Sequence, residues 1–409
     1  MNPAGWVGDQ DNTWDGYGLT LALKNIFISA DSGYAAVGSD IGGYLNNDYP
    51  PDRNLFLRWV QLGALLPIME NGGQKDNCHL PWLFDPIQST TDIYRKYAKL
   101  HHELVPYFYS YDIQAHSDGI SISRPIGHDI SDWEGHWEYL LGDNLFVSAI
   151  YQDNDTQYSD SKKINFPTGK WINYWNEDEI YNGETSATLT YSLDQYPIFI
   201  RSGAIIPMNV DDSETGHGSD SSENYLTLLI YPDGVSSFDY HSDPSTTTRI
   251  TTDEQCGGII ISFNSYTDSV IIRLKNDVEP ERVFLSGNLN LQKKDSFTEF
   301  EAPSSGWYHG KLNDSANVYT WIKIVNPTDS IFVATNSVSG ITPTAYKLSN
   351  LNVGNNQYID RPSMKLVYIP DEYKGFNMIR TANDNKITTN LGFQFYVCGN
   401  ADIYVAYDY

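Results

Sequence analysis

Residues 33–43 read GYAAVGSDIGG: a run of mostly small residues, Gly33 to Ala36, leads into Val37, and the stretch closes on Gly38-Ser39-Asp40-Ile41-Gly42-Gly43. This is the form of a short buried strand that delivers a carboxylate into a glycine-rich loop. Helical spacing surrounds it. Between Asp52 and Gly63 the apolar residues Leu55, Phe56, Trp59, Val60 and Leu62 form roughly one helical stripe, and Leu65 to Met69 then reads as a second short strand. Thr90 to His116 is the longest helical candidate, with Ser89, Thr90 and Thr91 as possible caps, a stop at Gly119, and Pro106 placed to kink or split it. Helix, strand, helix, strand, helix is the order of parallel β/α units, in which functional residues sit where strands end.

Past about residue 125 the pattern changes. Short β-type runs (Asn144 to Ile150, Leu189 to Tyr191, Pro197 to Ile206) alternate with Asp, Asn, Gly and Ser turns, the spacing of sandwich domains. Residues 211–224, DDSETGHGSDSSEN, are acidic and almost free of apolar side chains, which reads as a linker or long exposed loop. Further β runs follow, including Leu226 to Tyr231, Gly258 to Phe263 and Val270 to Leu274. A last segment from Phe332 has turns at Asn352 to Asn356 and Asn383 to Lys386 and ends on an apparent strand, Ala401 to Tyr407. The expected fold class is therefore α/β plus all-β, a β/α portion over 1–122 followed by β units over 123–210, 211–331 and 332–409.

Composition narrows the function. In 409 residues, 40% are hydrophobic and 19% charged, which allows a buried core. The formal net charge of −26 would repel a phosphate backbone, so nucleic acid is an improbable partner. No run approaches the roughly 18 apolar residues of a membrane span, and the first residues lack a basic start with an apolar stretch. Cys78, Cys256 and Cys398 are odd in number and widely spaced, so neither a disulfide framework nor a CxxC metal site can be read. Thirty Tyr and ten Trp offer flat amphipathic rings that suit sugar faces as well as sheets.

Two aspartates stand out. Trp6-Val7-Gly8-Asp9 puts a carboxylate beside an aromatic wall, and burial against an apolar ring keeps a carboxylic acid protonated as a general acid. In the Gly38 to Gly43 loop the glycines remove bulk, so a ligand could approach Asp40 closely. The bland alternative for both is a turn or cap aspartate. A calcium loop over Asp9, Asp11, Thr13 and Asp15 fails, because Trp14 stands where such a loop needs Gly and Thr20 where it needs Glu. His101 and His102 are adjacent and cannot share the face of a helical metal pair. No metal or other cofactor is expected.

At these residues a family resemblance emerges. Trp6 to Asp9, Gly38 to Gly43, and Arg58-Trp59-Val60-Gln61-Leu62-Gly63-Ala64 with Pro67 and Met69 resemble the second half of a glycoside hydrolase family 31 barrel. His79-Leu80-Pro81-Trp82, Leu104 to Tyr109 and Ser123-Arg124-Pro125 resemble the exit of that barrel. Leu141 to Val147, Phe166 to Trp171 and Ile200 to Pro207 resemble its proximal C-terminal sandwich, and residues 225 to about 331 more weakly its distal β domain. The resemblance implies a partial (β/α)8 barrel followed by β-sandwich C-terminal domains, and a retaining α-glycosidase acting on an oligosaccharide or α-glucoside. Retention uses two carboxyls about 5 to 5.5 Å apart, one attacking the anomeric carbon and the other exchanging protons with the leaving oxygen and then with water. Asp9 matches the acid/base and Asp40 the aspartate that binds sugar hydroxyls; Trp6 and Trp14 resemble aromatics near that pocket, and Trp82 lies in the loop after the last barrel strand.

Two departures qualify this. The family's nucleophile lies in a Trp-x-Asp-Met-Asn-Glu type segment well before the acid/base loop, so the expectation is a C-terminal part whose nucleophile is not in this chain. Trp175-Asn176-Glu177 has only a superficial likeness to that segment. Where many members carry Arg-x-His after the last barrel strand, this chain has Glu70-Asn71-Gly72, so the subsite must differ, with Glu70 and Asn71 as candidate sugar contacts. An isolated partial barrel would expose unpaired strand edges, so either the sequence is truncated, the favoured expectation, or another polypeptide supplies the first half. Rival expectations are an α-glucosyl transferase of the same family and a non-catalytic carbohydrate-binding or vestigial protein. Sequons at Asn154-Asp155-Thr156 and Asn313-Asp314-Ser315 are compatible with secretion.

Overall fold

The structure, a computed structural model, describes residues 4–45, 52–74, 80–84, 89–152, 159–255, 258–264, 266, 268–286, 289–312, 317–325 and 330–334, with the backbone of four further strands up to residue 397. The three cysteines, His79, both sequons, the two late turns and the strand expected at Ala401 to Tyr407 lie outside the described residues.

Strand β1 (Ala4–Trp6), helix α1 (Leu19–Asp31) and strand β2 (Ala36–Gly38) form one crossover unit, and the two strands are parallel with Trp6 opposite Gly38. Leu19, Leu23, Ile26, Phe27 and Ala30 give α1 a single buried stripe, which packs the helix back on the sheet. Helix α2 (Arg53–Ala64) opens on Asp52, whose carboxylate accepts from the Asn54 amide as an N-cap. The 90–116 region is two helices, α3 (Ser89–Glu103) and α4 (Val105–Asp118): Pro106 sits in the first turn of α4, and Gly119 closes it in the left-handed conformation. The strand expected over Leu65 to Met69 does not form; those residues turn, and pairing is reduced to one parallel bridge between Asp40 and Glu70.

The next strands are β3 (Ser123–Pro125), β4 (Glu138–Leu141), β5 (Leu145–Ser148), β6 (Ser161–Asn165), β7 (Lys170–Asn173), β8 (Ile180–Asn182), β9 (Ser186–Thr190) and β10 (Ile198–Arg201). Six of them form a sheet in the order β3-β4-β5-β10-β7-β8, and β6 pairs with β9. Then come β11 (Ile205–Met208), β12 (Leu226–Ile230), β13 (Val235–Asp243), β14 (Thr246–Gln255), β15 (Gly258–Phe263), β16 (Val270–Lys275), β17 (Arg282–Leu285), β18 (Leu289–Asn290), β19 (Gly306–Gly310), β20 (Tyr319–Ile324) and β21 (Ser330–Ala334). They make a five-stranded sheet, β11-β12-β16-β20-β19, and a six-stranded one, β13-β14-β15-β21-β17-β18. The remaining strands, Val338–Thr342, Lys347–Asn350, Asn377–Arg380 and Gln394–Val397, pair as two ribbons.

Strand β11, inside the 123–210 span, hydrogen-bonds to β12 and belongs to the second β unit, and β21 straddles residue 331 because Phe332 is paired with Ile260 and Phe284. Residues 211–224 are no free linker: Lys99 pairs with Asp211 and Asp212, and Glu103 holds Thr215 and His217. Buried His217 and Ser222 anchor this polar segment through ion pairs and hydrogen bonds in place of apolar contact.

One apolar core runs from Leu19 through Trp59 and Phe146 to Val333, so the β/α part and the sandwiches are continuous. Stacking of Tyr107 on Phe238 at 5.8 Å and the His241 amide donating to Ser110 dock α4 on β13. Between the β units Glu177 is buried with Arg273: its Oε1 accepts from the hydroxyls of Tyr231 and Tyr319, both at 2.7 Å, with the Arg273 guanidinium at 3.5 Å, while its Oε2 lies 3.6 Å from the Lys275 ammonium.

Candidate functional site

The site is built where β1, β2 and the Glu70 bridge end side by side. The Val7 amide bonds Gly38 O at 3.3 Å and the Ile41 amide bonds Glu70 O at 3.0 Å, so the three chain segments run in one register and release Asp9, Asp40 and Glu70 at the same end. That end carries the functional residues in parallel β/α architectures.

The loops beyond are clasped. Leu45 donates to Gln10 O at 2.9 Å and Asn12 to Leu45 O at 3.1 Å, while the Gln74 amide bonds Tyr44 O at 2.8 Å. Gly42 and Gly43 have φ of 85° and 88°, and a β-carbon at Gly43 would stand 2.5 Å from Asp11 O. Only glycine meets both conditions. This is the physical reason for the glycine pair behind Asp40.

Helix α2 supports the loop from behind and explains the Arg58 to Ala64 motif. Trp59, fully buried, donates its indole N–H to Ser39 Oγ at 2.9 Å, and one turn later Gly63 leaves space for Ile41, whose Cδ1 would lie 2.8 Å from a β-carbon there. Arg58 and Gln61 leave the helix on another side. Arg58 reaches Gln195 O at 2.5 Å, Tyr191 O at 3.2 Å and the Asp160 carboxylate at 2.8 Å, and Gln61 donates to Leu193 O at 2.7 Å. One helix therefore holds the Asp40 loop and the first β unit together.

Asp40 is 4% exposed, and its Oδ2 accepts the Trp6 indole N–H at 3.0 Å. Burial pushes its carboxyl above the usual aspartate range; the indole bond opposes this, and the negative charges of Glu70 and Asp9 reinforce it. Asp9 itself is exposed, so the expected burial against Trp6 is corrected: the ring, 41% exposed, turns its polar edge to Asp40. Asn71 and Gly72 follow Glu70, and a β-carbon at Gly72 would stand 2.3 Å from Asp40 Oδ1 and 3.8 Å from Glu70 Oε1.

Other candidates separate. Trp14 is tied to the Asp52 cap of α2, at 2.8 Å, which is a packing role, whereas Trp82 lies on a short turn with its side chain 60% exposed. Glu177 sits in the buried tyrosine–arginine cluster, far in role from the three carboxylates. Sequence reasoning passed over Gly72 and Ser39, whose signal is their contact with Asp40 and Trp59. Among the described residues no group of three or more His, Cys, Asp or Glu side chains is arranged to hold a metal ion, and no helix is long and apolar enough to cross a membrane.

Comparison with known proteins gives these arrangements a context. Residues 1–111 match the glycosyl hydrolases family 31 TIM-barrel domain, and residues 119–206 match the glycosyl hydrolase family 31 C-terminal domain. Alpha-glucosidase 2 of Bacillus thermoamyloliquefaciens is 27% identical over 252 residues, 58% of this chain and 30% of that protein. Isomaltosyltransferase of Sporosarcina globispora is 25% identical over 359 residues, 82% of this chain and 31% of that protein. The chain thus spans about a third of the length of these curated relatives. Among solved structures, the cycloalternan-forming enzyme of Listeria monocytogenes with a pentasaccharide substrate superimposes with a TM-score of 0.69 at 23% identity, covering 81% of this chain and 32% of that one. A family 31 dextranase of Flavobacterium johnsoniae complexed with glucose gives 0.65 at 23% identity, covering 81% and 44%. At this identity the likeness concerns the fold, which fits a barrel-plus-β-sandwich architecture.

Proposed function

From the match of residues 1–111 and 119–206 to the two glycosyl hydrolase family 31 domains, we propose that this chain carries the acid/base half of a retaining α-glycosidase that releases terminal α-linked glucose from oligosaccharides. The reading is carried by one observation: Asp9, Asp40 and Glu70 emerge at one end of adjacent parallel segments, with the Trp6 indole fixing Asp40. Asp9, exposed and reachable by water, donates its proton to the departing glycosidic oxygen and then takes one from the incoming water. Asp40, fixed through Oδ2 by the Trp6 indole, is the sugar-holding aspartate of this reading. The attacking carboxylate is assigned to a segment outside these 409 residues.

The test is hydrolysis by the polypeptide bearing these residues together with the segment that supplies the nucleophile. Asp9→Ala is expected to lower kcat/KM for a natural disaccharide by about 10²- to 10⁴-fold, and much less for an aryl glycoside whose leaving group needs no proton. Near-unchanged turnover of both substrates refutes the assignment. A second reading, transfer of the glucosyl group to a sugar hydroxyl, is favoured by the reach of the isomaltosyltransferase match, 82% of this chain against 58% for the α-glucosidase. Products longer than the substrate at high acceptor concentration select transfer; free monosaccharide alone selects hydrolysis.

A further inference from the structure

We propose that Gln10 is the positioning residue of Asp9: its side chain closes the turn that carries the acid, and its carbonyl ties that turn to the loop following Asp40. This rests on the acid/base reading of Asp9 and adds to it the group that fixes where the proton is delivered.

Asp9 needs such a brace. It and Gly8 are both exposed, and Gly8 has a φ of 88°, a conformation that glycine enters and leaves with little hindrance. Left to itself, a Gly-Asp tip would scatter the carboxyl over several positions. Gln10 removes that freedom. Its Nε2 donates to Val7 O at 2.8 Å, which closes a ring around the two exposed residues, and its own carbonyl accepts the Leu45 amide at 2.9 Å. Asn25, on α1, donates to the same Val7 O at 3.2 Å, so the near end of the ring is held from the helix as well. Asp11 continues the tie through a parallel bridge to Leu45.

Gln10 is 1% exposed, although its neighbour Asp9 is open to solvent, and its Oε1 is buried with no hydrogen-bond partner among the described residues. Val7 O can only accept, so it faces the N–H end of the amide. Burying an acceptor without a donor costs stability, and an apolar side chain of the same length would fill the space without that cost. The amide is committed to one contact, and that contact encloses Asp9. In a proton transfer the carboxyl must stand within hydrogen-bond reach of the departing oxygen, so a drift of about 1 Å at the tip is felt in the rate.

Gln10→Met and Asp9→Ala, assayed beside wild type in the active polypeptide, separate the possibilities. Methionine keeps the length and flexibility of the side chain but cannot donate, and Asn25 still serves Val7 O. Gln10→Met is expected to lower kcat/KM for a natural disaccharide about 10- to 100-fold and to leave that for an activated aryl glycoside within about threefold, because only the poor leaving group waits for the proton. With the aryl glycoside, kcat and KM should fall together as the glycosyl-enzyme accumulates, and azide, which attacks without a base, should restore kcat. A merely structural role lowers both substrates in the same ratio and leaves azide nothing to rescue. Should the methionine variant fail to fold, Gly8→Ala strains the same ring from its other side, where a β-carbon meets nothing nearer than Gln10 Nε2 at 4.0 Å, and is expected to show the same dependence on the leaving group. Equal losses for the two substrates, or an unchanged kcat/KM for the disaccharide, overturn the proposal while the acid/base reading stands on Asp9→Ala. Near-unchanged turnover of both substrates by Asp9→Ala overturns both.

Discussion

Glu177→Gln isolates the electrostatic bolt between the two β units. The carboxylate is 5% exposed, accepts two tyrosine hydroxyls and faces Arg273, equally buried, at 3.5 Å. Glutamine keeps the volume and an oxygen for the tyrosines but removes the charge. At 3.5 Å and an effective dielectric of 20, Coulomb's law assigns the pair about 5 kcal/mol. Breaking a buried pair from one side costs about 3–5 kcal/mol, because the remaining charge stays buried without its partner. With roughly 2–4 °C of Tm per kcal/mol, the melt should fall by about 6–20 °C. The assay is calorimetry of the full chain with three variants: Glu177→Gln, Arg273→Met, and both together. The double variant should lie well above the sum of the singles, since neither buried partner is left facing a neutral one and Lys275 keeps Asp277 at 3.1 Å. A single variant within about 1 kcal/mol of wild type, or strict additivity in the double, refutes the reasoning.

Asp40→Asn should change how stability depends on pH. Because burial and its acidic neighbours raise the carboxyl's folded-state pKa, the folded protein holds that proton longer than the unfolded chain does. Wild-type stability should therefore fall as pH climbs from about 4 through the raised pKa, and the asparagine variant should lack that decline in urea titrations at successive pH values. Gly63→Ala should cost about 1–3 kcal/mol, read by denaturant unfolding, because the new methyl meets Ile41 and the loop must give way. Trp82→Ala, at a largely exposed ring, should leave the melt within about 0.5 kcal/mol of wild type; a larger loss would make Trp82 a packing residue.

Much of the β/α part was legible because its signals are local. The apolar stripe from Leu55 to Leu62 announces a helix, Pro106 breaks a helix that would otherwise run on, and small residues before Asp40 mark a strand under close packing. What escaped depends on partners distant in sequence. Strand β11 is drawn into the second sheet by Leu226 to Ile230, some twenty residues on, and nothing within Ile205 to Met208 states which neighbour it takes. Residues 211–224 lack apolar character, yet Glu103 captures His217 and Thr215 from a helix more than a hundred positions earlier. For the site, types and order pointed to Asp9, Asp40 and Trp6, but the aspartate that the ring serves is the distant Asp40 and not its neighbour in the chain. Leu65 to Met69 looked extended from its apolar run, which periodicity cannot distinguish from a buried turn.

The division of labour on α2 limits how such a protein can be recombined. Trp59 and Gly63 seat the Asp40 loop, while Arg58 and Gln61 grip the carbonyls of residues 191–195. A chimaera that swaps residues 123–206 for a homologous cassette inherits a guanidinium demanding oxygens at fixed places. If the graft offers them half an ångström astray, the helix rolls to follow, and the roll is delivered through Trp59 to the carboxylate at 40. Exchange at this joint would thus be felt first in the placing of the Asp40 loop, before any loss of folding.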